Sequence, residues 1–212
     1  MQRFLDIFFT SAAMIVLSPI FIIVILILKF SGEGEIFYFQ ERVGLNQKKF
    51  KLFKFATMLK NSEKMGSGTV TLKNDSRVLP VGSFLRKTKL NELPQLLNII
   101  NGSMSIVGPR PLHEKQFSFY SDNDKPIITS VRPGLSGMAS IFFRDEEAIL
   151  QSTQDPDYLY KTKITPKKAK YEKWYVKNKS IYLYFKIIFI TIAVVIFPNI
   201  NISSFFPESI ND

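Results

Sequence analysis

Hydrophobic and polar positions divide this chain into an apolar lead, a basic middle and an apolar close. No residue from Ile7 to Leu28 is charged, and these 22 positions exceed the roughly 20 that a helix needs to cross a hydrocarbon core. The run is too long for a cleavable leader, Asp6 stands before it, and no small-residue cleavage pattern follows, so it predicts a retained membrane segment. Pro19 lies at its midpoint. The ring removes one helical hydrogen bond and crowds the preceding turn, so the helix is expected to break or bend at Ser18-Pro19, with the Ser18 hydroxyl taking up a released carbonyl. Two geometries follow: a kinked span, or a re-entrant hairpin that returns both ends to one face. Helix physics alone does not separate them.

The second uncharged run, Ile187 to Phe197, has 11 residues and is too short to span. With Trp174, Tyr175, Tyr182, Tyr184 and lysines ahead of it, it reads as a helix lying in the membrane interface; a helix in the protein core is the competing reading. Between the two runs, residues 36–59 alternate as short phenylalanine-rich strands around a turn at Gly44-Leu45-Asn46, and 60–76 reads as a mobile loop. Phe84 to Ile100 has helical spacing in two pieces, with Leu93, Leu96, Leu97 and Ile100 on one stripe. Turns are expected at Gly102, at Gly108-Pro109-Arg110-Pro111 and at Arg132-Pro133-Gly134, with neither an internal repeat nor a separate second domain.

Composition sharpens this. The 212 residues suit one compact domain, and the absence of cysteine excludes a disulfide scaffold, a thiolate metal site and a cysteine nucleophile. Charge is localised: from Arg42 to Lys115 there are 14 basic against four acidic residues, which accounts for the whole net charge of +10. Such a block, when it is more than a solvated face, implies an anionic partner, and beside an apolar lead it orients the polar part to the cytoplasmic side. A nucleic-acid binder would use the same Lys/Phe-rich 48–60, but the apolar N-terminus argues against it.

Phosphate chemistry lacks its usual loops. There is no glycine-rich nucleotide motif and His113 is the sole histidine, which leaves carboxylates, arginines and helix ends. Asn91 reads as the N-cap of a helix, with Glu92 first and Pro94 in the first turn, so unpaired amides beside Arg86 and Lys89 are expected to face an anion; an ordinary helix start has the same composition.

Taken in order, Leu17-Ser18-Pro19, Gln40-Glu41-Arg42-Val43-Gly44, Phe50 to Met58, Leu85-Arg86, Asn91-Glu92-Leu93-Pro94-Gln95-Leu96, Met104 to Pro111 and Val131 to Gly137 resemble the bacterial sugar transferases, the monotopic polyprenyl-phosphate phosphoglycosyl transferases that initiate glycan assembly. The likeness covers most of residues 1–190. It implies a mostly helical α+β fold: a re-entrant helix over 1–30 with its kink at Ser18 and Pro19, a transferase domain on the cytosolic face over 31–180, an interfacial helix over 181–198 and a tail over 199–212. It further implies transfer of a sugar 1-phosphate from a UDP-sugar to undecaprenyl phosphate at the bacterial inner membrane, with Mg²⁺ and an Asp-Glu pair. Homo-oligomers are compatible with it, and no nucleic acid is expected.

By the same resemblance Glu92 holds the metal, and Arg86, Lys89, Arg110 and Arg144 contact phosphate or nucleotide. The family's aspartate attacks the sugar-proximal phosphorus. Here that position is Asn91, and a neutral amide is a far poorer nucleophile. Three outcomes stay open: Glu92 or another acid attacks or the lipid phosphate displaces the nucleotide directly, the chain is a catalytically weakened assembly partner, or Asn91 is an altered residue. Ala56 stands where a basic residue is common and Glu172 where an aspartate is usual. The acidic Asp145-Glu146-Glu147 after Arg144 reads as a surface turn rather than as a metal host or a replacement carboxylate.

Overall fold

The computed structural model describes residues 1–62, 65, 75–144, 146–151, 153, 155–197 and 200–207. Most of the expected 60–76 loop, and Asp145 of the acidic turn, therefore lie outside the described residues. The fold is mostly helical α+β with one long apolar N-terminal helix, α1 (Gln2–Lys29). No break interrupts α1 at Pro19. The carbonyl that loses its partner there is that of Ile15, four residues back, and the Ser18 hydroxyl donates to it at 2.8 Å.

Two compact units share the chain. One comprises Ile7–Gln40 and Lys51–Asn101. Val24 and Leu28, one helical turn apart on α1, are buried in a cluster with Phe55 and Leu85. Phe55 ends β2 (Lys49–Phe55), which pairs with β1 (Phe37–Val43) across the expected turn, where Asn46 takes a left-handed conformation at φ 52°. Leu85 lies on α2 (Pro80–Lys87), opened by a proline at its first turn. A Cβ on Gly82 of α2 would fall 2.1 Å from the Thr57 carbonyl oxygen, so only glycine permits this approach.

The second helical piece, α3 (Gln95–Ile100), corrects the expected stripe: Ile99 and Asn98 are buried, whereas Ile100 is exposed. The reason is a polar contact. The Asn98 amide donates to the Lys51 carbonyl and accepts from the Phe53 N–H, both at 2.8 Å, satisfying the outer edge of β2 and turning the helix by about one residue.

The other unit comprises Met1–Asp6, Glu41–Phe50 and the described residues of Gly102–Asp212. Two three-residue strands, β3 (Ser105–Val107) and β4 (Gly134–Ser136), pair in parallel, with Ser105 opposite Gly134 and Val107 opposite Ser136. Around them lie α4 (Glu114–Ser118), α5 (Asp124–Ile128), α6 (Met138–Phe142), α7 (Glu146–Gln151) and α8 (Pro156–Leu159), a π turn over Tyr160–Ile164, α9 (Thr165–Asn178) and α10 (Ile181–Ile196). Ser180 caps α10, its hydroxyl accepting from the Leu183 N–H.

Leu183, Tyr184, Ile187, Ile190 and Val194 of α10 are buried with Val107, Met138 and Tyr175, while Tyr182, Phe189, Ile192 and Val195 of the same helix are exposed. So α10 is a core helix on one face and apolar on the other. Tyr175 and Tyr184, expected at an interface, are core residues instead. Both bury a ring and spend the hydroxyl on a hydrogen bond, Tyr175 to the Val107 carbonyl and Tyr184 to Asp6. Within the tail over 199–212, Phe206 is buried against Phe142 and Trp174, while 199 and 208–212 lie outside the described residues.

Asp6 closes this core. Its carboxylate is 2% exposed and accepts from the Ser105 hydroxyl at 2.7 Å, the Ile106 N–H at 3.0 Å and the Tyr184 hydroxyl at 3.0 Å. Replacing Asp6 with Ala orphans an amide and a phenol in an apolar core, so a loss of about 2–5 kcal/mol is expected, against about 1 kcal/mol for Ser105→Ala. Unfolding in detergent, followed by circular dichroism, measures both; equal effects would show that the carboxylate is not the anchor.

Candidate active site

α2 ends in a reversal that sets four of the expected site residues close together in one unit. Lys89 adopts a left-handed conformation at φ 59°, its N–H donating to the Arg86 carbonyl at 3.2 Å, and a 3₁₀ turn follows over Leu90–Glu92. Within it the Glu92 N–H donates to the Lys89 carbonyl and the Leu93 N–H to that of Leu90. Because Pro94 has no N–H to extend this turn, α3 begins only at Gln95.

Asn91 is therefore not an N-cap, and the expected open amides at a helix start are corrected: those of Glu92, Leu93, Leu96 and Leu97 donate to backbone carbonyls. Asn91 is buried and its side-chain oxygen has no hydrogen-bond partner among the described residues, an uncommon and costly state for a core amide. Glu92 and Arg86 are half-buried and Lys89 is exposed. This stretch thus presents three cations, Arg86, Lys87 and Lys89, with a carboxylate and an unsatisfied amide oxygen within seven residues. No group of three metal-ligating side chains occurs among the described residues.

Arg110 and Arg144 belong to the other unit, both exposed. Arg110 sits in a turn built with little freedom. A Cβ on Gly108 would fall 2.3 Å from the Arg132 carbonyl oxygen and one on Gly134 2.1 Å from the Gly108 nitrogen, so the Gly108-Pro109-Arg110-Pro111 and Arg132-Pro133-Gly134 turns interlock backbone to backbone. The Gly134 N–H donates to the Pro109 carbonyl at 2.8 Å, and the Arg42 guanidinium to that of Pro111 at 3.4 Å. Neither proline has an N–H, which leaves that of Arg110 as the tripeptide's single backbone donor; it donates to Glu172 Oε1 at 3.0 Å.

Glu172 and Lys168, one turn apart on α9, are each 1% exposed. Lys168 pairs with Glu146 of α7, donates to the Tyr160 hydroxyl at 3.0 Å and lies over the Tyr160 ring. Burial pulls its pKa down, with Glu146 opposing. Glu146 is thus the anion of a buried pair, not part of an open surface turn. Burial pushes the Glu172 carboxyl up to about 7, against the Arg110 amide and the charges of Lys168 and Arg110. Its other oxygen has no hydrogen-bond partner among the described residues. Sequence reading passed over Lys168 and Tyr160 and noted Glu172 only as a departure. The i,i+4 spacing of a lysine and a glutamate on an otherwise core-facing helix was the signal available.

A model of the bacterial sugar transferase family matches residues 1–198. The chain is 35% identical over 208 residues to the exopolysaccharide production protein ExoY of Rhizobium meliloti, covering 92% of this chain and 84% of that protein. It is 34% identical over 197 residues to a UDP-glucose:undecaprenyl-phosphate glucose-1-phosphate transferase of Klebsiella pneumoniae, and 32% over 196 residues to the enzyme of that name in Escherichia coli. These matches cover 90% and 91% of this chain but 39% of each enzyme.

A raised carboxyl pKa has a definite sign in stability. Between the ordinary value of 4.5 and about 7 the folded protein holds a proton that the unfolded chain has lost, so this group's contribution falls as pH rises through that window and is constant below it. Glu172→Gln is expected to be more stable than wild type at pH 8 by up to about 3 kcal/mol, the gap closing towards pH 4.5. Denaturant titrations across pH measure it; a gap that widens on acidification would refute the assignment.

Proposed function

The chain belongs to the bacterial sugar transferase family, and on that premise we propose that it transfers a sugar 1-phosphate from a UDP-sugar to undecaprenyl phosphate at the cytosolic face of the inner membrane, initiating a surface glycan. What carries the reading is one contact: Leu85, the residue before Arg86, is buried against Val24 and Leu28, so the apolar helix is packed beneath the stretch that offers cations and a carboxylate. A water-soluble diphosphate and a lipid-borne phosphate require that conjunction.

α1 supports a re-entrant course. Its first turn is buried through Asp6 and its last through Val24 and Leu28, whereas Ile15 and Val16 beside the proline are 75% and 74% exposed. On this reading the exposed apolar middle of α1 dips into one leaflet.

Arg86 and Lys89 neutralise the donor diphosphate, and Arg110 and Arg144 are assigned to phosphate as well. The donor set is compatible with Mg²⁺, a hard cation that prefers oxygen: Glu92 would supply a carboxylate oxygen and Asn91 its unpartnered amide oxygen. When bound, the ion withdraws charge from the phosphates. Asn91 offers no nucleophile, so the undecaprenyl phosphate oxygen attacks the sugar-proximal phosphorus; that P–O bond forms as the bond to the uridine phosphate breaks, and UMP leaves with the electron pair. Asn91 also favours a second reading, an assembly partner with weak catalysis.

Purified protein with Mg²⁺, undecaprenyl phosphate and a panel of UDP-sugars is expected to release UMP without a phosphosugar adduct in the intact mass, and Glu92→Gln to slow release about 100-fold or more. Silence with every donor, together with a gain of turnover in Asn91→Asp, would establish the second reading.

Topology is tested separately, and the absence of native cysteine makes the labelling clean. Phe4→Cys and Phe30→Cys, both at exposed positions, are expected to react with an impermeant maleimide only after the inner membrane is opened. Labelling of position 4 in intact spheroplasts would overturn the re-entrant course.

A further inference from the structure

A helix face that meets only water ordinarily mixes acids with bases. The outer face of α9 does not. Lys167, Lys170 and Lys177 are exposed, and with Trp174 they follow one another at steps of three, four and three residues, which keeps them on one side of the helix. The opposite side carries Thr165, Lys168, Ala169, Glu172 and Tyr175 into the core. Glu172 is the one acid of α9 and it is buried, so no carboxylate of the helix interrupts the lysine row. The ion pairs that α9 makes among the described residues use Lys168 and Lys173, not the lysines of the row.

The row leads into an apolar surface of the same unit. Trp174 meets Phe206 in a T-shaped pair with 6.2 Å between ring centroids. The Lys186 ammonium lies over that same Phe206 ring at 5.4 Å and over the Tyr182 ring at 5.7 Å. Trp174, Phe206 and Lys186 thus join the lysines of α9 to the outer side of α10. There Tyr182, Phe189 and Ile196, seven residues apart, form a stripe that is 75%, 66% and 61% exposed. Ammonium groups, then aromatic rings, then aliphatic chains is the order in which a bilayer passes from headgroups to hydrocarbon. A nucleic acid would satisfy the lysines and leave the apolar stripe in water, whereas an anionic leaflet takes both at once.

We propose that this face of α9 and α10 docks on an anionic bilayer, the lysine row taking negatively charged phospholipid headgroups and the Tyr182-Phe189-Ile196 stripe entering the acyl boundary. The interfacial helix expected over 181–198 accounts for the stripe alone; the row on α9 adds selectivity for lipid charge. The inference goes beyond the transferase reading, since it concerns neither the UDP-sugar nor undecaprenyl phosphate, and its surface lies within the single unit that holds Gly102–Asp212.

Trp174 is the only tryptophan of the chain and stands in the row, so its fluorescence reports docking without a label. The full chain is reconstituted in bilayers of phosphatidylcholine brominated on the acyl chains, with or without roughly one-third of phosphatidylglycerol brominated in the same way. Quenching of Trp174 is expected to be about twofold stronger in the anionic bilayer at low salt, and the difference to collapse as added salt shortens the Debye length from about 30 Å to about 3 Å. The triple variant Lys167→Gln/Lys170→Gln/Lys177→Gln is expected to erase the difference, and the same three positions changed to Glu to reverse its sign. The wild-type comparison across lipid and salt decides the matter if a variant fails to fold. Equal quenching of wild type in the two bilayers, a difference that survives high salt, or a Gln variant that keeps it would each overturn the proposal. Absence of quenching in both, with Trp174 emission that shifts as protein per lipid rises, would assign the face to a second copy of the chain; emission that answers only to an added oligonucleotide would assign it to nucleic acid. UMP release is not read, so each of these results leaves the transferase reading as it stands.

Discussion

The start of the long apolar helix is fixed by one buried carboxylate, that of Asp6. A carboxylate one turn into a lipid-seeking helix is unfavourable anywhere except against donors, and it finds three, from Ser105, Ile106 and Tyr184. These come from β3 and α10, so the anchor is assembled from residues some 100 and 178 positions away in sequence. At the other end Val24 and Leu28 bury plain aliphatic surface. One end is held by directional polar bonds and the other by apolar packing.

The Pro-Arg-Pro turn follows a different logic. Its exposed arginine is mobile by nature, with a long side chain whose ordering costs entropy. The backbone beneath it leaves almost no play: glycines interlock at separations that any Cβ would prevent, the prolines fix φ, and the three backbone groups with partners bond to three separate elements. Fixing the root of a flexible cation confines its tip, and a buried acid is a stiff means of doing so.

The elements set by local chemistry were legible in the sequence: the long apolar helix, the paired strands about Gly44, the two-piece helix around Asn91 and the glycine-proline turns. So were the cations at Arg86 and Lys89, because motif order marked them. Contacts between distant segments decided the rest. Nothing local says that Asn98 turns α3 to bond with Lys51 and Phe53, that Tyr175 and Tyr184 face inward, or that Phe206 returns to the core. The cap assigned to Asn91 failed because the left-handed Lys89 and the missing N–H of Pro94 together favour a 3₁₀ turn, a preference hidden by the resemblance of the stretch to an ordinary helix start.

On the proposed reading, Asn91 exchanges one catalytic asset for another. A second carboxylate beside Glu92 would offer a nucleophile, but it would also repel two anionic reactants; at 4 Å, one pair of unit charges near a protein surface is worth about 4 kcal/mol. An amide removes that repulsion and still presents an oxygen to a cation. Phosphoryl transfer through a loose transition state depends more on alignment and charge neutralisation than on an enzyme nucleophile. Two phosphates brought together beside Arg86, Lys89 and Glu92 can therefore react directly, and the covalent step becomes one route among those this local chemistry allows. The demand then shifts to holding both reactants at once, the lipid phosphate having to be in place before the uridine phosphate can leave.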